Sequence, residues 1–162
     1  MLSSQQKNQK NSSSGGLLLA DKNSVRVREA SSNYELSRVA ELWANLTMIQ
    51  QMRGDDVWLK NSKVSGLSWN EYVMQLINAE SSKVLIFEKD EIVFGFSYMT
   101  LENVNASKPN LPLSLKAIIK EIYLEPGFRK YVDADVLAEL MRKSMKALTI
   151  NYFEVAVKDL DL

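Results

Sequence analysis

Hydrophobic and polar positions change their period several times along the chain, and each change predicts an element. Apolar and charged residues alternate over residues 25–29, which indicates a short, half-buried strand. Capping boxes, in which a serine and a glutamate three residues later bond each other's main-chain amides, begin at Ser32 and Ser68. Apolar residues at helical spacing follow both serines, so we predict a helix after each. The stretch between them, residues 48–67, has no clear period.

The middle of the chain predicts strands. Residues 84–87 and 92–101 are expected to form a hairpin around a polar turn. Gly95 in the second of these strands indicates a bulge or a close approach of another backbone. Residues 116–124 are the most β-like run in the sequence, and a Pro-Gly pair ends it at residues 126–127.

The last third predicts a helix over residues 133–148 and a final strand over residues 152–157. The predicted order is therefore β-α-α-β-β-β-α-β. Three strands in succession, with helices before and after them, favour an α+β fold. We expect a mixed, mostly antiparallel sheet with flanking helices.

Composition divides the chain into a tail and a body. Residues 1–24 are rich in Gln, Asn, Ser and Gly and contain no aromatic residue. Such a segment buries too little apolar surface to offset the entropy of ordering it, so we predict a disordered polar tail. Residues 25–162 are of a length typical of one domain.

Charge and residue types exclude several classes of function. The chain has 20 Lys+Arg and 20 Asp+Glu, which argues against nucleic acid as its main partner. It has no Cys and no His, so thiolate and imidazole chemistry are excluded and no metal site is predicted. No apolar run approaches the roughly 18 residues of a membrane span, and the N-terminus lacks a signal-peptide pattern, so we expect a cytoplasmic protein without membrane contact. Catalysis would depend on carboxylates, Lys, Tyr, main-chain amides or a bound cofactor.

The junction at residues 122–134 carries the candidate chemistry. A strand ends there, a tight turn follows and a helix begins. Unpaired amides at a helix N-terminus can bind an anion, and Arg129 and Lys130 just before it would add positive charge. The same pattern also fits a plain strand–turn–helix connection with two surface cations.

This junction resembles motif A of the GNAT (Gcn5-related N-acetyltransferase) superfamily. That motif is a strand followed by a Gln/Arg-x-x-Gly-x-Gly/Ala turn that leads into a helix. Arg129 matches its first position and Ala134 its last. The order of elements over residues 25–157 is also similar to the family's. The resemblance implies a GNAT-like domain that binds acetyl-CoA and transfers the acetyl group to an amine of a small molecule or a protein.

The resemblance also implies roles for particular residues. Main-chain groups of the fourth strand would hold the pantetheine arm of the cofactor, and amides of the turn and helix N-terminus would hold its pyrophosphate. Glu121, on the fourth strand, is the best candidate for a catalytic base, although exposed glutamates on alternating strands are common. The implied cofactor-binding residues are Ile122, Tyr123, Leu124, Arg129, Lys130, Tyr131, Val132, Asp133 and Ala134.

Three features depart from the family pattern. Val132 stands where the motif has its first glycine, which would add bulk near the phosphates. Asp133 and Asp135 begin the helix, where they would either cap it or repel a pyrophosphate. The sequence ends soon after the predicted fifth strand, where family members continue with a helix and a hairpin. The predicted sheet then has an open edge, for which two explanations stay open: a homodimer in which a second chain covers it, or a truncated domain.

Three functional hypotheses remain open at this point. The first is an N-acetyltransferase that uses acetyl-CoA and an amine. The second is a catalytically inactive protein of the same fold, serving as an acyl-CoA sensor or an interaction module. The third is an unrelated α+β domain whose turn only imitates the motif.

Overall fold

Four α-helices, five strands and one 3₁₀ helix lie in residues 25–157, the part of the chain that this computed structural model describes. The predicted polar tail and residues 158–162 lie outside the described residues. In chain order the elements are β1 (Arg26–Glu29), α1 (Asn33–Met52), α2 (Val57–Ser65), α3 (Trp69–Asn78), β2 (Ser82–Lys89), β3 (Ile92–Asn103), β4 (Leu115–Leu124), the 3₁₀ helix (Pro126–Tyr131), α4 (Ala134–Ala147) and β5 (Tyr152–Val155).

The five strands form one sheet in the order β1-β2-β3-β4-β5. The first three pairs are antiparallel, and β4 pairs with β5 in parallel. This arrangement confirms the predicted α+β fold with a mixed, mostly antiparallel sheet. The predicted order was wrong in lacking α2, because Ser62 is the only buried residue of that helix and no apolar face marks it in the sequence.

Local signals in the sequence set the ends of several elements. Both capping boxes form, so α1 follows Ser32 and α3 follows Ser68 as predicted. The β2–β3 turn contains Asp90 and Glu91, with φ of 50° and 66°. Two consecutive residues of positive φ are the hallmark of a tight type I′ hairpin turn, whose twist matches that of the strands it joins.

The sheet lies between two layers of helix, each with its own apolar core. Trp43 of α1 is the centre of the first core and packs against the rings of Trp58, Trp69, Phe96 and Tyr98. On the opposite face of the sheet α4 packs through buried side chains that include Leu137, Met141 and Met145.

A β-bulge in β4 decides which side chains reach the first core. Tyr98 of β3 pairs with Glu121, but the next residue, Met99, pairs with Ile119, so Lys120 has no partner in β3. The extra residue reverses the alternation of the strand. Ile119 therefore faces the α4 side, whereas Glu121 and Tyr123 face the α1 side.

The pairing of β4 with β5 is short. It joins Lys116–Ile119 to Tyr152–Val155, and the Ala156 amide donates to the Ile119 carbonyl at 2.9 Å. Beyond Ile119, β4 has no strand beside it on that edge within residues 25–157. The outer edge of β5 also has no neighbour in this region, and its cover by a second chain stays a prediction.

None of the helices described is long and apolar enough to cross a membrane.

Candidate functional site

A cavity of about 400 Å³ lies beside the unpaired half of β4. Its walls come from the end of α1, the start of α2, the 3₁₀ helix and the two residues after β5. The strand forms the floor with residues 120–124. Most ligand pockets are a few hundred Å³ in volume and combine apolar walls with a few polar groups, as this one does. Its lining residues are Leu46, Ile49, Gln50, Arg53, Asp55, Val57, Trp58, Lys120, Glu121, Ile122, Tyr123, Leu124, Pro126, Arg129, Ala156 and Val157.

Glu121 places a buried carboxylate in this cavity. Only 5% of the residue is exposed, so it is not the solvent-facing strand residue of the alternative interpretation. Its Oε2 atom accepts a hydrogen bond from Trp58 Nε1 at 2.7 Å and another from Gln50 Nε2 at 3.3 Å. Gln50 Oε1 is buried beside it and has no hydrogen-bond partner in residues 25–157. The cavity is therefore lined by a buried carboxylate that two side chains of the protein hold by hydrogen bonds.

The surroundings of Glu121 change its affinity for a proton. Burial raises the pKa of the carboxyl above its ordinary value, because the low dielectric disfavours the charged form. The hydrogen bonds from Trp58 and Gln50 lower the pKa in part, and the nearby charge of Asp55 raises it. A carboxyl of raised pKa binds a proton more readily than an ordinary one, which suits a group that accepts a proton in acid–base catalysis.

Tyr123 faces the same side of the sheet as Glu121 and also lines the cavity. Burial raises its pKa, so the phenol keeps its proton at neutral pH. Arg38 of α1 lies nearby, where it bonds the Val93 carbonyl at 3.1 Å and pairs with Glu125. These bonds join α1, β3 and the end of β4 beside the cavity.

Main-chain groups of β4 alternate between the sheet and the cavity. The Glu125 amide donates to the Phe94 carbonyl at 2.8 Å, so Tyr123, two residues earlier, also directs its main chain to β3. Ile122 and Leu124 therefore direct theirs to the open edge. Arg129 Nε donates a hydrogen bond to the Leu124 carbonyl at 3.0 Å. Of the three predicted pantetheine-binding residues, Ile122 is the one whose main-chain groups face the cavity without such a partner among residues 25–157.

The predicted tight turn is a 3₁₀ helix followed by α4. Val132 between them has a φ of −133°, which any residue adopts, and its side chain is buried in the core between the sheet and α4. The valine therefore does not add bulk toward a ligand at the turn. Asp133 caps α4 by accepting a bond from the Val136 amide at 2.8 Å. The capping role considered for Asp133 is confirmed.

Solved structures with the same arrangement of elements are numerous. A ribosomal-protein-alanine N-acetyltransferase from Brucella melitensis superposes with a TM-score of 0.58 at 12% identity, covering 85% of this chain and 82% of that one. An aminoglycoside acetyltransferase from an uncultured soil metagenomic sample, in complex with sisomicin, has a TM-score of 0.56 at 11% identity. The match covers 86% of this chain and 81% of that one. A GNAT family acetyltransferase from Staphylococcus aureus gives 0.53 at 16% identity, covering 84% and 88%.

This chain has the GNAT fold. No family model matches its sequence, and a search of curated protein sequences finds no significant match. The likeness is thus one of structure at low sequence identity. It confirms the fold that the resemblance of the strand–turn–helix junction implied.

The cavity and the N-terminus of α4 in this GNAT-fold protein suit the two parts of acetyl-CoA unequally. The open edge at Ile122 and the apolar walls fit a pantetheine arm, which is a chain of methylenes and amides. The N-terminus of α4 fits a pyrophosphate less well. Its Val136 amide is already bonded, and the carboxylates of Asp133 and Asp135 lie in the cap and the first turn.

Sequence reasoning missed the residues that surround Glu121. Gln50, Asp55 and Trp58 all come from the stretch without a clear period. Nothing in the sequence around Trp58 signals a bond to a strand residue 63 positions away. No group of carboxylates within residues 25–157 is arranged to hold a metal ion.

Proposed function

We propose that this protein is an N-acyltransferase that moves an acetyl group from a coenzyme A thioester to a primary amine. The observation that carries the proposal is the position of Glu121. Its buried carboxylate lies on the strand whose open edge borders the cavity, where Trp58 and Gln50 donate hydrogen bonds to it. The similar structures, which include acetyltransferases of a protein and of an aminoglycoside, support this class of reaction.

The Glu121 carboxylate in the cavity suits an amine. An ammonium group carries only donors, and a carboxylate is an acceptor. Binding a positively charged amine there would offset the cost of a buried carboxylate. Glu121 would then take a proton from the ammonium, and the freed nitrogen lone pair would attack the thioester carbonyl. The C–N bond forms, the C–S bond breaks, and the thiolate leaves as the free thiol with the second proton of the nitrogen.

Other residues would hold the acyl donor. The thioester supplies an activated acyl group, and the Ile122 main chain offers one donor and one acceptor along its arm. Trp58 holds Oε2 of Glu121 in place, so the other oxygen can turn toward the amine. Fixing both reactants beside one strand lowers the entropy cost of bringing them together.

The test is release of free thiol from acetyl-CoA by the full chain in the presence of primary amines, including a polyamine, an aminoglycoside and a peptide N-terminus. We expect amine-dependent thiol release with at least one of them. Thiol release at the same rate with and without amine would contradict the proposal. So would the absence of any thiol release, if acetyl-CoA also fails to raise the melting temperature.

The second hypothesis, an acyl-CoA sensor, has one observation in its favour. The Glu121 carboxylate is bonded to two side chains within the protein, as a purely structural buried carboxylate would be. Under that hypothesis acetyl-CoA would raise the melting temperature, and no amine in the panel would release thiol.

The bond from Trp58 gives a prediction about pH. Trp58→Phe keeps ring contacts with Trp43 and Tyr98 but removes the donor to Glu121. The bond favours the ionised carboxylate, so its loss raises the pKa of Glu121, and the acid limb of the kcat/KM profile should move to higher pH. A bond to a charged group contributes about 1.5–3 kcal/mol, which corresponds to a shift of about one pH unit or more.

Trp69→Phe is the matched control for this prediction. Trp69 packs on the same Trp43 ring, but its Nε1 donates to the Ala40 carbonyl at 2.8 Å rather than to Glu121. We expect its pH profile to match that of the unmodified protein. Equal shifts in the two variants would mean that packing of the aromatic cluster, and not the bond to Glu121, sets the profile.

A further inference from the structure

A second groove, of about 630 Å³, lies between the end of α4 and the outer edge of β5. It is lined by residues of the last two turns of α4 and by residues 149–153, which lead into β5. No residue of β4 lines it, so the groove is on the side of β5 that faces away from the sheet. The groove and the cavity beside Glu121 share no lining residue.

The main chain of β5 presents hydrogen-bonding groups on its outer edge. The Asn151 amide donates to the Leu115 carbonyl at 3.0 Å, so Phe153, two residues later, also directs its main chain to β4. Tyr152 and Glu154 therefore direct theirs outward, where no strand of residues 25–157 lies. The strand contains neither lysine nor proline, two residues that commonly prevent pairing at an exposed edge. This edge can therefore receive another strand.

Apolar side chains line the groove and flank the edge. Met145 and Ile150 are buried beneath the groove, and Phe153 packs against the same core. Tyr152 and Val155, on the edge strand, are 45% and 44% exposed. An extended segment that paired with β5 would cover these side chains from water, which favours its binding.

The charge that lines the groove is positive. Arg142 and Lys146, one turn apart on α4, are exposed and line it, and none of its lining residues is a carboxylate. Within residues 25–157 Lys146 has no ion pair, and Arg142 pairs with Glu139 in an exposed contact that water screens. The carboxylate of Glu154 lies on the opposite face of the sheet, 2.7 Å from the Lys116 ammonium. The groove therefore attracts negative charge.

The end of α4 opposes an acidic group only weakly. The amides of Thr149 and Ile150 donate to the carbonyls of Lys146 and Met145, at 3.1 Å and 2.9 Å. Thr149 has a φ of 57°, the left-handed conformation that closes a helix in this way. Two of the carbonyls that carry the negative end of the helix dipole are thus bonded within the chain.

We propose that this groove binds an extended, acidic segment of another protein, which pairs with β5 and adds a strand to the sheet. The main chain of Tyr152 and Glu154 bonds the segment, and its apolar side chains pack beside Phe153. Its carboxylates pair with Arg142 and Lys146. This interaction does not depend on the proposed acyl transfer, because the groove lies apart from the cavity.

A second copy of this chain fits the groove less well. Two β5 strands paired antiparallel about a two-fold axis would place both α4 helices on the same face of the joined sheet. Arg142 and Lys146 of one copy would then face their counterparts in the other. Like charges that meet across an interface oppose association, whereas carboxylates of a different protein would favour it.

The experiment measures the binding of a fluorescein-labelled peptide to the full chain by fluorescence anisotropy. The peptide has nine residues that alternate valine and glutamate, with both ends blocked. We expect saturable binding, which is about tenfold weaker or more when lysine replaces glutamate in the peptide. Methylating its central main-chain nitrogens removes the donors for β5 and should abolish binding. No binding of the acidic peptide, or equal binding of either control peptide, would overturn the inference.

Lys146→Glu tests whether the peptide lies in the groove. We expect the dissociation constant of the acidic peptide to rise about tenfold or more, because the substitution replaces an attraction by a repulsion. Lys143→Glu is the matched control, since Lys143 is an exposed cation of the same helix that does not line the groove. Its dissociation constant should stay within about threefold of that of the unmodified protein. Equal losses in the two variants would mean that the peptide only follows the charge of α4, and the inference would fail.

Sedimentation equilibrium of the full chain tests the other occupant. We expect a monomer at the protein concentrations of the peptide titration. A dimer that the acidic peptide dissociates would assign the groove to a second copy and overturn the inference. A dimer that persists with the peptide bound would have its interface elsewhere, and the inference would stand.

Discussion

Glu121→Gln is expected to lower kcat by about 10²–10⁴-fold at neutral pH, the range typical of losing a positioned acid–base group. The glutamine keeps an acceptor oxygen for Trp58 and Gln50 but cannot take a proton from the amine. Binding of the acyl donor should change little, because the main chain of β4 is unaltered. Thiol release at saturating amine, together with a titration of the acyl donor, measures both quantities.

The same substitution should raise the stability of the protein at neutral pH. Because burial raises the pKa of Glu121, the folded protein binds more protons than the unfolded chain between the ordinary and the raised pKa. The free energy of unfolding therefore falls as pH rises through that window. Glutamine does not ionise, so the variant does not lose this unfolding free energy. At a pH above the window its melting temperature should exceed that of the unmodified protein, and at a pH below the window the two melting temperatures should be similar.

Glu80→Gln is the control, since Glu80 is exposed at the end of α3. It should alter neither the rate nor the melting temperature. A rate within threefold of the unmodified protein for Glu121→Gln would show that Glu121 is not the base. A lower melting temperature at neutral pH would show that its ionised form stabilises the fold.

Gly95→Ala is expected to destabilise the protein strongly. A methyl group on Gly95 would lie 2.5 Å from Leu124 Cδ2 and 2.6 Å from the Tyr123 carbonyl oxygen. The carbonyl belongs to the main chain, so β4 itself must move. Overpacking of this kind typically costs about 1–3 kcal/mol, and each kcal/mol lowers the melting temperature by about 2–4 °C in a protein of this size. Acyl-donor affinity should fall too, because the displaced strand is the floor of the cavity.

Gly127→Ala provides the matched control. A methyl group there meets no atom within 4 Å, and Gly127 is not among the residues of positive φ. Its expected effect on the free energy of unfolding is neutral or slightly favourable, since alanine restricts the unfolded chain. Chemical denaturation of both variants gives the comparison. Equal stabilities for the two would mean that β3 and β4 separate at little cost.

Signals that depend on a few neighbouring residues determined much of the fold. The capping boxes at Ser32 and Ser68 identified two helix starts, because the bonds that form them join residues only three apart. Alternating and continuous apolar runs identified all five strands, and the strand–turn–helix junction indicated the GNAT fold. Glu121 was also identified as the candidate base from the sequence, as a carboxylate on the fourth strand.

Only the tertiary structure decided where Glu121 points and what surrounds it. The strand alternation alone would leave Glu121 on the face of Ile119, and the bulge at Lys120 reverses that. A bulge arises from the register between two strands, and the residues of one strand alone do not predict that register. Gln50 and Trp58 reach Glu121 from positions 71 and 63 residues away, out of a stretch whose helix α2 buries little and so has no apolar period. Burial, unlike helix capping, is a property of the assembled chain, and it is burial that raises the pKa of Glu121.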